Sequence, residues 1–211
     1  MSDEGRIAVG VSGAGSHLRA LAAAVGRGEV GGAIVLVFAD RSCPALDWAI
    51  EQGIETVLVP GGDDATLART LSALAADVVV LAGYMRIVGP AVLAAFGGRI
   101  INTHPSLLPA FPGAHAVADA LAHGVTVTGC TVHFVDNQYD HGPIIWQQPV
   151  PVFADDTADT LAARVFVAET EAYPHVLKLL AAGRVQLDGG RVTIRKPTRG
   201  AGGRASAMPI D

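Results

Sequence analysis

Apolar runs of strand length alternate with helical segments through the first half of this 211-residue chain. After its first residue, the run from Asp77 to Gly83 is continuously apolar, which is typical of a parallel strand buried on both faces. Such alternation favours an α/β fold, in which a mostly parallel twisted sheet carries helices on both faces. Further strands are predicted at 7–11, 33–39, 55–59 and 99–104, and helices at 18–25, 44–52, 63–75 and 90–96.

The second half of the chain alternates less regularly. We predict a helix at 113–123, strands at 125–135 and 144–150, and a long helix from Thr157 to about Leu180. A C-terminal hairpin with strands at 185–187 and 192–194 follows, because glycines separate two short runs rich in β-branched residues. One domain is expected over residues 1–196, and the stretch 197–211, rich in Gly, Ala and Arg, is predicted to be a disordered tail.

The turn after the first predicted strand is rich in glycine. Gly13 and Gly15 can adopt positive φ, and the start of the following helix directs backbone N–H groups at an anion. With Asp40 at the end of the second strand, the turn also resembles a dinucleotide site, but Leu18 occupies the place of the third glycine. A phosphate site without a dinucleotide and a turn without any ligand both remain open.

Two polar side chains leave the end of the strand at 99–104. Asn102 and His104 are two residues apart and therefore point to the same face of a strand. Pro105 has no backbone N–H, so the chain must leave the ladder there. An amide beside an imidazole at a strand end can act in catalysis, or it can satisfy local backbone groups.

A polar loop at 136–143 contains Asp140, which we expect to return to His104 because the ends of parallel strands meet at one edge of a sheet. A carboxylate beside His104 would favour the charged imidazolium. The alternative is an Asp-containing turn before Gly142 and Pro143. His133 is interpreted as a packed, hydrogen-bonded histidine, and Glu169 by itself is typical of a solvated helix face.

Composition limits the classes of partner. A formal net charge of −5 is unfavourable for binding nucleic acid, so no nucleic-acid partner is expected. The two cysteines, Cys43 and Cys130, form no metal-ligand pattern with the histidines, and no metal site is predicted. No apolar run approaches the ~20 residues that cross a bilayer, and the first residues lack a signal-peptide pattern, so we expect a cytoplasmic protein without membrane contact.

Several sequence blocks occur in a fixed order: Asn102-x-His104-Pro105-Ser106-Leu107-Leu108-Pro109, Phe111-Pro112-Gly113-x-His115, Gly129-x-Thr131-Val132-His133 and Asp140-x-Gly142-Pro143-Ile144-Ile145. Two earlier blocks precede them, namely Ser12-Gly13-x-Gly15-Ser16 and Ala82-Gly83-Tyr84-Met85-Arg86-Ile87. Together they closely resemble the folate-dependent phosphoribosylglycinamide formyltransferases of purine synthesis. The resemblance extends over about residues 6–196.

This resemblance implies a Rossmann-like formyltransferase fold that transfers a formyl group from 10-formyltetrahydrofolate to the amine of 5′-phosphoribosylglycinamide. It implies small-molecule substrates, no metal, and a monomer or homodimer. The residues that it implies to be catalytic are Asn102, His104 and Asp140. Those implied to hold the nucleotide phosphate and ribose are Gly15, Ser16, His17 and Glu169. Those implied to line the folate pocket are Met85, Arg86, Ile87, Val88 and Asn102.

The chain differs from the commoner family pattern at several positions. Ala14 and His17 stand where Asn is frequent, and His141 stands where Gly is frequent. The connection at 60–66 is shorter, and an Arg that some relatives use there has no clear counterpart. The alternatives are a 10-formyltetrahydrofolate hydrolase, a formylfolate-dependent transferase with another acceptor and, from a different class, a non-catalytic module that binds a phosphate ligand.

Overall fold

The computed structural model describes residues 5–196, so the predicted tail at 197–211 lies outside the described residues. Seven strands form one sheet in the order β3-β2-β1-β4-β5-β6-β7, and β8 and β9 form a separate hairpin. The strands are β1 Arg6–Val11, β2 Ala33–Ala39, β3 Thr56–Leu58, β4 Val78–Leu81, β5 Ile100–His104, β6 Val127–Phe134, β7 Ile144–Pro151, β8 Val185–Asp188 and β9 Arg191–Ile194.

Six α-helices connect these strands, and a 3₁₀ turn at Pro60–Gly62 precedes the third of them. The helices are α1 Ser16–Gly26, α2 Pro44–Glu51, α3 Asp64–Ala73, α4 Pro90–Phe96, α5 Ala116–His123 and α6 Ala158–Ala181. None of these described helices combines the length and the apolar character that crossing a bilayer would require.

The sheet is parallel from β3 through β5 and antiparallel at β6 and β7. From β1 the chain first adds β2 and β3 on one side, and it then adds β4 and the later strands on the other side. The direction in which strands are added therefore reverses beside β1. In open α/β sheets a ligand crevice forms at the carboxyl ends of the strands near such a reversal. The α/β class, the mostly parallel sheet and the C-terminal hairpin are therefore confirmed.

Apolar side chains cover both faces of the sheet, as expected for strands that are apolar along their whole length. On one face, α1, α2 and α6 contribute buried residues such as Leu18, Ala49 and Leu177. On the other face, α3 and α4 pack through residues such as Leu71 and Phe96. The long helix α6 contacts β5, β6 and β7, so it crosses the region where the parallel part of the sheet meets the antiparallel part.

Two details of the helix starts differ from expectation. The helix predicted at 113–123 begins only at Ala116, because Gly113 has φ +92° and its N–H points at the 136–143 loop. At the start of α6 the two threonine side chains, Thr157 and Thr160, each accept a hydrogen bond from the other residue's backbone N–H. A threonine hydroxyl thus completes a capping box that usually contains Glu or Gln.

The antiparallel direction of β6 changes how the 136–143 loop reaches the site. His104 lies opposite Thr131 and Ile101 lies opposite Phe134, so β6 ends at the level where β5 begins. The loop therefore starts from the opposite end of the strand and returns along the sheet. Its base is closed by the Phe134 N–H, which donates to the Pro143 carbonyl at 2.9 Å. The expected approach of Asp140 to His104 occurs, but the clustering of parallel strand ends does not produce it.

Thr128 on β6 offers a test of the packing. Its Oγ1 is buried and has no hydrogen-bond partner among the described residues. We expect Thr128→Val to raise the free energy of unfolding by about 1 kcal/mol, because a methyl group replaces an unpaired buried hydroxyl of the same shape. Urea unfolding measures the change, and Thr126→Val, at an exposed position, should have no effect. A loss of stability in Thr128→Val would contradict this.

Candidate active site

Three adjoining cavities open at the carboxyl ends of the parallel strands. The first-loop cavity, about 310 Å³, is formed by residues 12–17 with Ala82, Gly83, Met85 and Phe166. The central cleft, about 220 Å³, contains Asn102, His104, Asp140, His17 and Glu169 among its walls. The inner pocket, about 50 Å³, is lined by Arg86, Ile87, Val88, Asn102 and Asp140 among others. His17 and Met85 border the first two cavities, and Asn102 and Asp140 border the last two, so the central cleft shares walls with both of the others.

The Asn102 amide is oriented by His133. In the antiparallel register the two residues lie opposite each other, and Asn102 Nδ2 is 3.3 Å from His133 Nε2. His133 Nδ1 lies 2.9 Å from the Phe134 carbonyl oxygen, so Nδ1 carries the hydrogen and Nε2 accepts from Asn102. Burial lowers the pKa of His133, which keeps the ring neutral in this role. The histidine is packed and hydrogen-bonded as expected, and it also fixes which end of the amide faces it.

Both ring nitrogens of His104 face oxygen atoms. Nε2 lies 2.8 Å from the Phe111 carbonyl oxygen, and Nδ1 lies 3.3 Å from Asp140 Oδ2. Only the doubly protonated imidazolium places a hydrogen on both nitrogens. His104 is 4% exposed as a residue, so its contact with the buried carboxylate is shielded from bulk water.

Asp140 lies at the centre of the predicted catalytic residues. Its side chain is 5% exposed, and its Oδ2 accepts a hydrogen bond of 2.9 Å from the Gly113 N–H. Its Oδ1 lies 3.9 Å from His133 Nε2. The backbone has φ +54°, a left-handed conformation that Asp tolerates better than most residues. The structure thus brings the three predicted catalytic residues together around one carboxylate.

The start of α1 faces the first-loop cavity with free backbone donors. Gly15 precedes the helix with φ +80°, and a Cβ there would lie 2.7 Å from the Ala45 Cβ, so only glycine fits. Among the described residues, no side chain caps this N-terminus. The N–H groups from Ser16 onward are therefore available to an anion, as expected from the sequence.

The imidazole of His17 turns toward the central cleft. Its Nε2 lies 3.1 Å from Glu169 Oε2, and its ring packs edge-on against Phe166 with centroids 4.8 Å apart. The other carboxylate oxygen of Glu169 accepts a hydrogen bond of 3.1 Å from Thr103 Oγ1. Glu169 is 5% exposed, so it belongs to the site and not to a solvated helix face. His17 therefore links the two cavities through the carboxylate.

The segment 85–88 is tied to the first loop by a short hydrogen-bond chain. The Met85 N–H donates to Ser12 Oγ at 3.0 Å, and the Ser12 hydroxyl donates to Asp40 Oδ1 at 2.7 Å. Burial raises the pKa of Asp40, but hydrogen bonds from Arg41 and Ser12 outweigh it, and the net pKa is below its ordinary value. Asp40 thus anchors the Met85 segment, a function that its position in the sequence does not reveal.

The chemistry of this cluster is that of an amide donor, an imidazolium and a carboxylate around a cleft. Within residues 5–196, no group of three or more His, Cys, Asp or Glu side chains is arranged to hold a metal ion. Such a set can stabilise an oxyanion and transfer protons, which are the requirements of acyl-type transfer. The helix N-terminus and the inner pocket provide separate places for two substrates.

Comparison with known proteins agrees with this geometry. The formyl transferase family matches residues 5–177. The phosphoribosylglycinamide formyltransferase of Mycobacterium tuberculosis strain H37Rv is 46% identical over 204 residues, which cover 92% of this chain and 94% of that protein. The Escherichia coli K12 protein of the same name is 40% identical over 86% of this chain and 89% of its own length.

A solved structure supports the same relationship. The glycinamide ribonucleotide transformylase 1 of Symbiobacterium toebii superposes with a TM-score of 0.88 at 42% identity, covering 93% of this chain and 96% of that one. Both the sequence match and the shared structure extend over the residues that build the three cavities. The chain therefore belongs to the formyl transferase family.

Proposed function

We propose that this enzyme transfers the formyl group of 10-formyltetrahydrofolate to the amine of 5′-phosphoribosylglycinamide, which yields the N-formyl product and tetrahydrofolate in purine biosynthesis. The observation that carries the proposal is the central cleft, which contains Asn102, His104 and Asp140 and shares wall residues with the first-loop cavity on one side and with the inner pocket on the other. The relatives named for this reaction match the chain over most of its length.

In this proposal the ribonucleotide enters through the first-loop cavity. Its phosphate binds the N–H groups at Gly15, Ser16 and His17, where the helix N-terminus favours negative charge. Its ribose hydroxyls donate to Glu169, which has accepting lone pairs beyond those used by His17 and Thr103. Binding of these remote groups holds the amine in the central cleft and reduces the entropic cost of the reaction.

The folate occupies the inner pocket in the same proposal. Arg86, Ile87 and Val88 line this pocket, whereas Met85 lies between the first-loop cavity and the central cleft. Asn102 lies at the boundary of the pocket and the cleft. A formyl group on the folate would therefore lie beside the amide N–H that His133 does not use.

The reaction follows from these positions. The amine nitrogen attacks the formyl carbon, a new C–N bond forms, and the carbonyl electron pair moves to oxygen. The Asn102 N–H donates to this oxyanion, and one such donor is typically worth about 3 kcal/mol. The His104 imidazolium, whose two N–H groups face Phe111 and Asp140, contributes its positive charge. Asp140 orients a water that accepts the amine proton and keeps His104 charged. The C–N bond to the folate then breaks, and the departing nitrogen takes up, through water, the proton that the amine has lost.

The test is formyl transfer from 10-formyltetrahydrofolate, measured with the ribonucleotide as acceptor and with water alone. Formylated ribonucleotide should appear in step with tetrahydrofolate, while water alone yields little turnover. Release of formate at an equal rate with and without the ribonucleotide would instead support a hydrolase. Binding of the ribonucleotide without turnover would support a non-catalytic module. A monomer or homodimer without nucleic-acid partners stays a prediction.

His17 gives a test of the nucleotide side of the site. Replacing His17 by Ala should raise KM for the ribonucleotide about tenfold, because Glu169 loses a hydrogen bond that holds it toward the ribose. KM for the folate should not change, since His17 does not line the inner pocket. Steady-state kinetics with each substrate varied in turn measures both values.

Two further variants control the His17 experiment. His17→Asn keeps an N–H donor and should retain most of the ribonucleotide affinity. His175→Ala removes an imidazole that packs on Trp146 outside the three cavities, and it should leave both KM values unchanged. Equal changes of both KM values in His17→Ala would exclude a specific link between His17 and the ribonucleotide.

A further inference from the structure

The final hydrogen bond of the β4–β5 ladder is replaced by a side chain. Val79 lies opposite Ile100, and its N–H donates to the Arg99 carbonyl at 2.9 Å. Continuing this parallel pattern, with Leu81 opposite Asn102, would place the Thr103 N–H on the Leu81 carbonyl. Instead the Tyr173 hydroxyl donates to the Leu81 carbonyl at 2.6 Å and accepts from the Thr103 N–H at 2.8 Å.

Only one side of β4 opens at this point. The Ala82 N–H still donates to the Gly10 carbonyl at 2.8 Å, so β4 remains paired with β1 while it separates from β5. Two hydrogen bonds through one oxygen keep the N and O atoms about 1.5 Å farther apart than a direct bond of about 2.9 Å. The parallel sheet therefore opens between the strand that leads to Met85 and the strand that carries Asn102 and His104.

Two side chains of helix α6 contact β5 at this opening. Tyr173 lies one turn after Glu169, and both reach Thr103, one through its backbone N–H and the other through its Oγ1. Tyr173 is 2% exposed, and burial raises the pKa of its hydroxyl well above the ordinary value, so the hydroxyl keeps the proton that it donates. Thr103 stands between the two catalytic residues of β5, so its position sets theirs.

We propose that Tyr173 is a positioning residue whose hydroxyl holds β4 and β5 apart and thereby sets the distance between the folate segment and the Asn102–His104 pair. The inference rests on the proposed formyl transfer, because it assigns the two strand ends to the two reactants. Tyr173 itself contacts neither the central cleft nor the inner pocket, since it lines neither of them.

The test is Tyr173→Phe, which keeps the ring and removes only the hydroxyl. We expect the Thr103 N–H to bond directly to the Leu81 carbonyl, so that a crystal structure of the variant shows an N···O distance of about 2.9 Å. We expect kcat to fall about 10- to 100-fold, because a displacement near 1 Å in a reacting pair has effects of this size. KM for the ribonucleotide should change little, since its phosphate binds at the start of α1.

A stability-matched variant separates positioning from a general loss of stability. We expect Tyr173→Phe to be less stable than the wild type as well. Thr128→Val lies distant in sequence and outside the cavities, so adding it should restore the melting temperature in the double variant. If kcat stays low in the double variant, the hydroxyl acts by positioning. If kcat returns to the wild-type value, or if the single variant keeps its open β4–β5 end, the proposal is overturned.

The positioning role of Tyr173 and the proposed formyl transfer can be refuted separately. A wild-type protein that does not formylate the ribonucleotide refutes the function, while the variant structure still decides whether the hydroxyl keeps the strands apart. Active wild-type protein with an unchanged kcat in folded Tyr173→Phe refutes the positioning role alone.

Discussion

Replacing Asp140 by Asn should lower kcat by about a thousandfold while the protein remains folded, as expected for loss of a group that assists proton transfer. The carboxylate offers Oδ2 to both the Gly113 N–H and His104 Nδ1, and Oδ1 faces His133. An amide has one accepting oxygen, so one of these neighbours would face an N–H group. His104 would lose the negative charge beside its Nδ1, and the water that accepts the amine proton would lose the carboxylate that orients it.

Single-turnover and steady-state assays, together with a thermal unfolding curve, measure this effect. Asp119→Asn is the matched control, because it removes the same charge from an exposed position on α5 that borders none of the cavities. It should leave kcat unchanged. Formyl transfer by Asp140→Asn near the wild-type rate would exclude Asp140 from catalysis.

Replacing Asn102 by Ala should lower kcat by about 10²- to 10³-fold, the usual effect of removing one donor from an oxyanion site. The variant loses the N–H directed at the developing charge, and His133 Nε2 loses the donor that lies 3.3 Å away. KM for the ribonucleotide should stay within about twofold, because its phosphate and ribose contacts lie elsewhere. The exposed Asn137, which lines none of the three cavities, provides Asn137→Ala as the control.

The double variant Asn102→Ala with Asp140→Asn adds a second measurement. When two residues act on the same transition state, removing both lowers kcat by less than the product of the two separate fold-reductions. We therefore expect the double variant to be only slightly slower than Asp140→Asn. Fully multiplicative losses would mean that the amide and the carboxylate act in independent steps.

Much of the fold could be predicted, because an apolar run and the residues at its two ends identify a strand without reference to the rest of the chain. The strands β2 and β4 are continuous apolar runs, and the helices α2, α3 and α4 begin at Pro or Asp. Capping by Asp63 was predictable for the same reason, since its carboxylate accepts from the nearby Thr66 N–H. The predicted start of α5 was wrong, because the Gly113 N–H donates to Asp140, a residue distant in sequence.

The candidate site was less predictable where it depends on register. The motif order indicated Asn102, His104 and Asp140, but local sequence does not reveal that His133 lies opposite Asn102, because that depends on how β5 and β6 align. Helical periodicity places Glu169 and Tyr173 on one face of α6 without saying which strand they meet. The helix start at Thr157 was predicted, but the capping box that Thr160 completes was not, because a hydroxyl stands in place of the usual carboxylate or amide.

The closed base of the 136–143 loop separates Asp140 from the sheet that supports the fold. The Phe134–Pro143 hydrogen bond fixes where the chain leaves and rejoins the sheet, and a Cβ at Gly142 would collide with the Phe134 carbonyl, so the junction itself tolerates little change. Residues 136–142 carry Asp140 and contribute no side chain to the two core clusters. Substitutions at the exposed positions of this loop therefore alter the surroundings of Asp140 without changing the packing of the sheet.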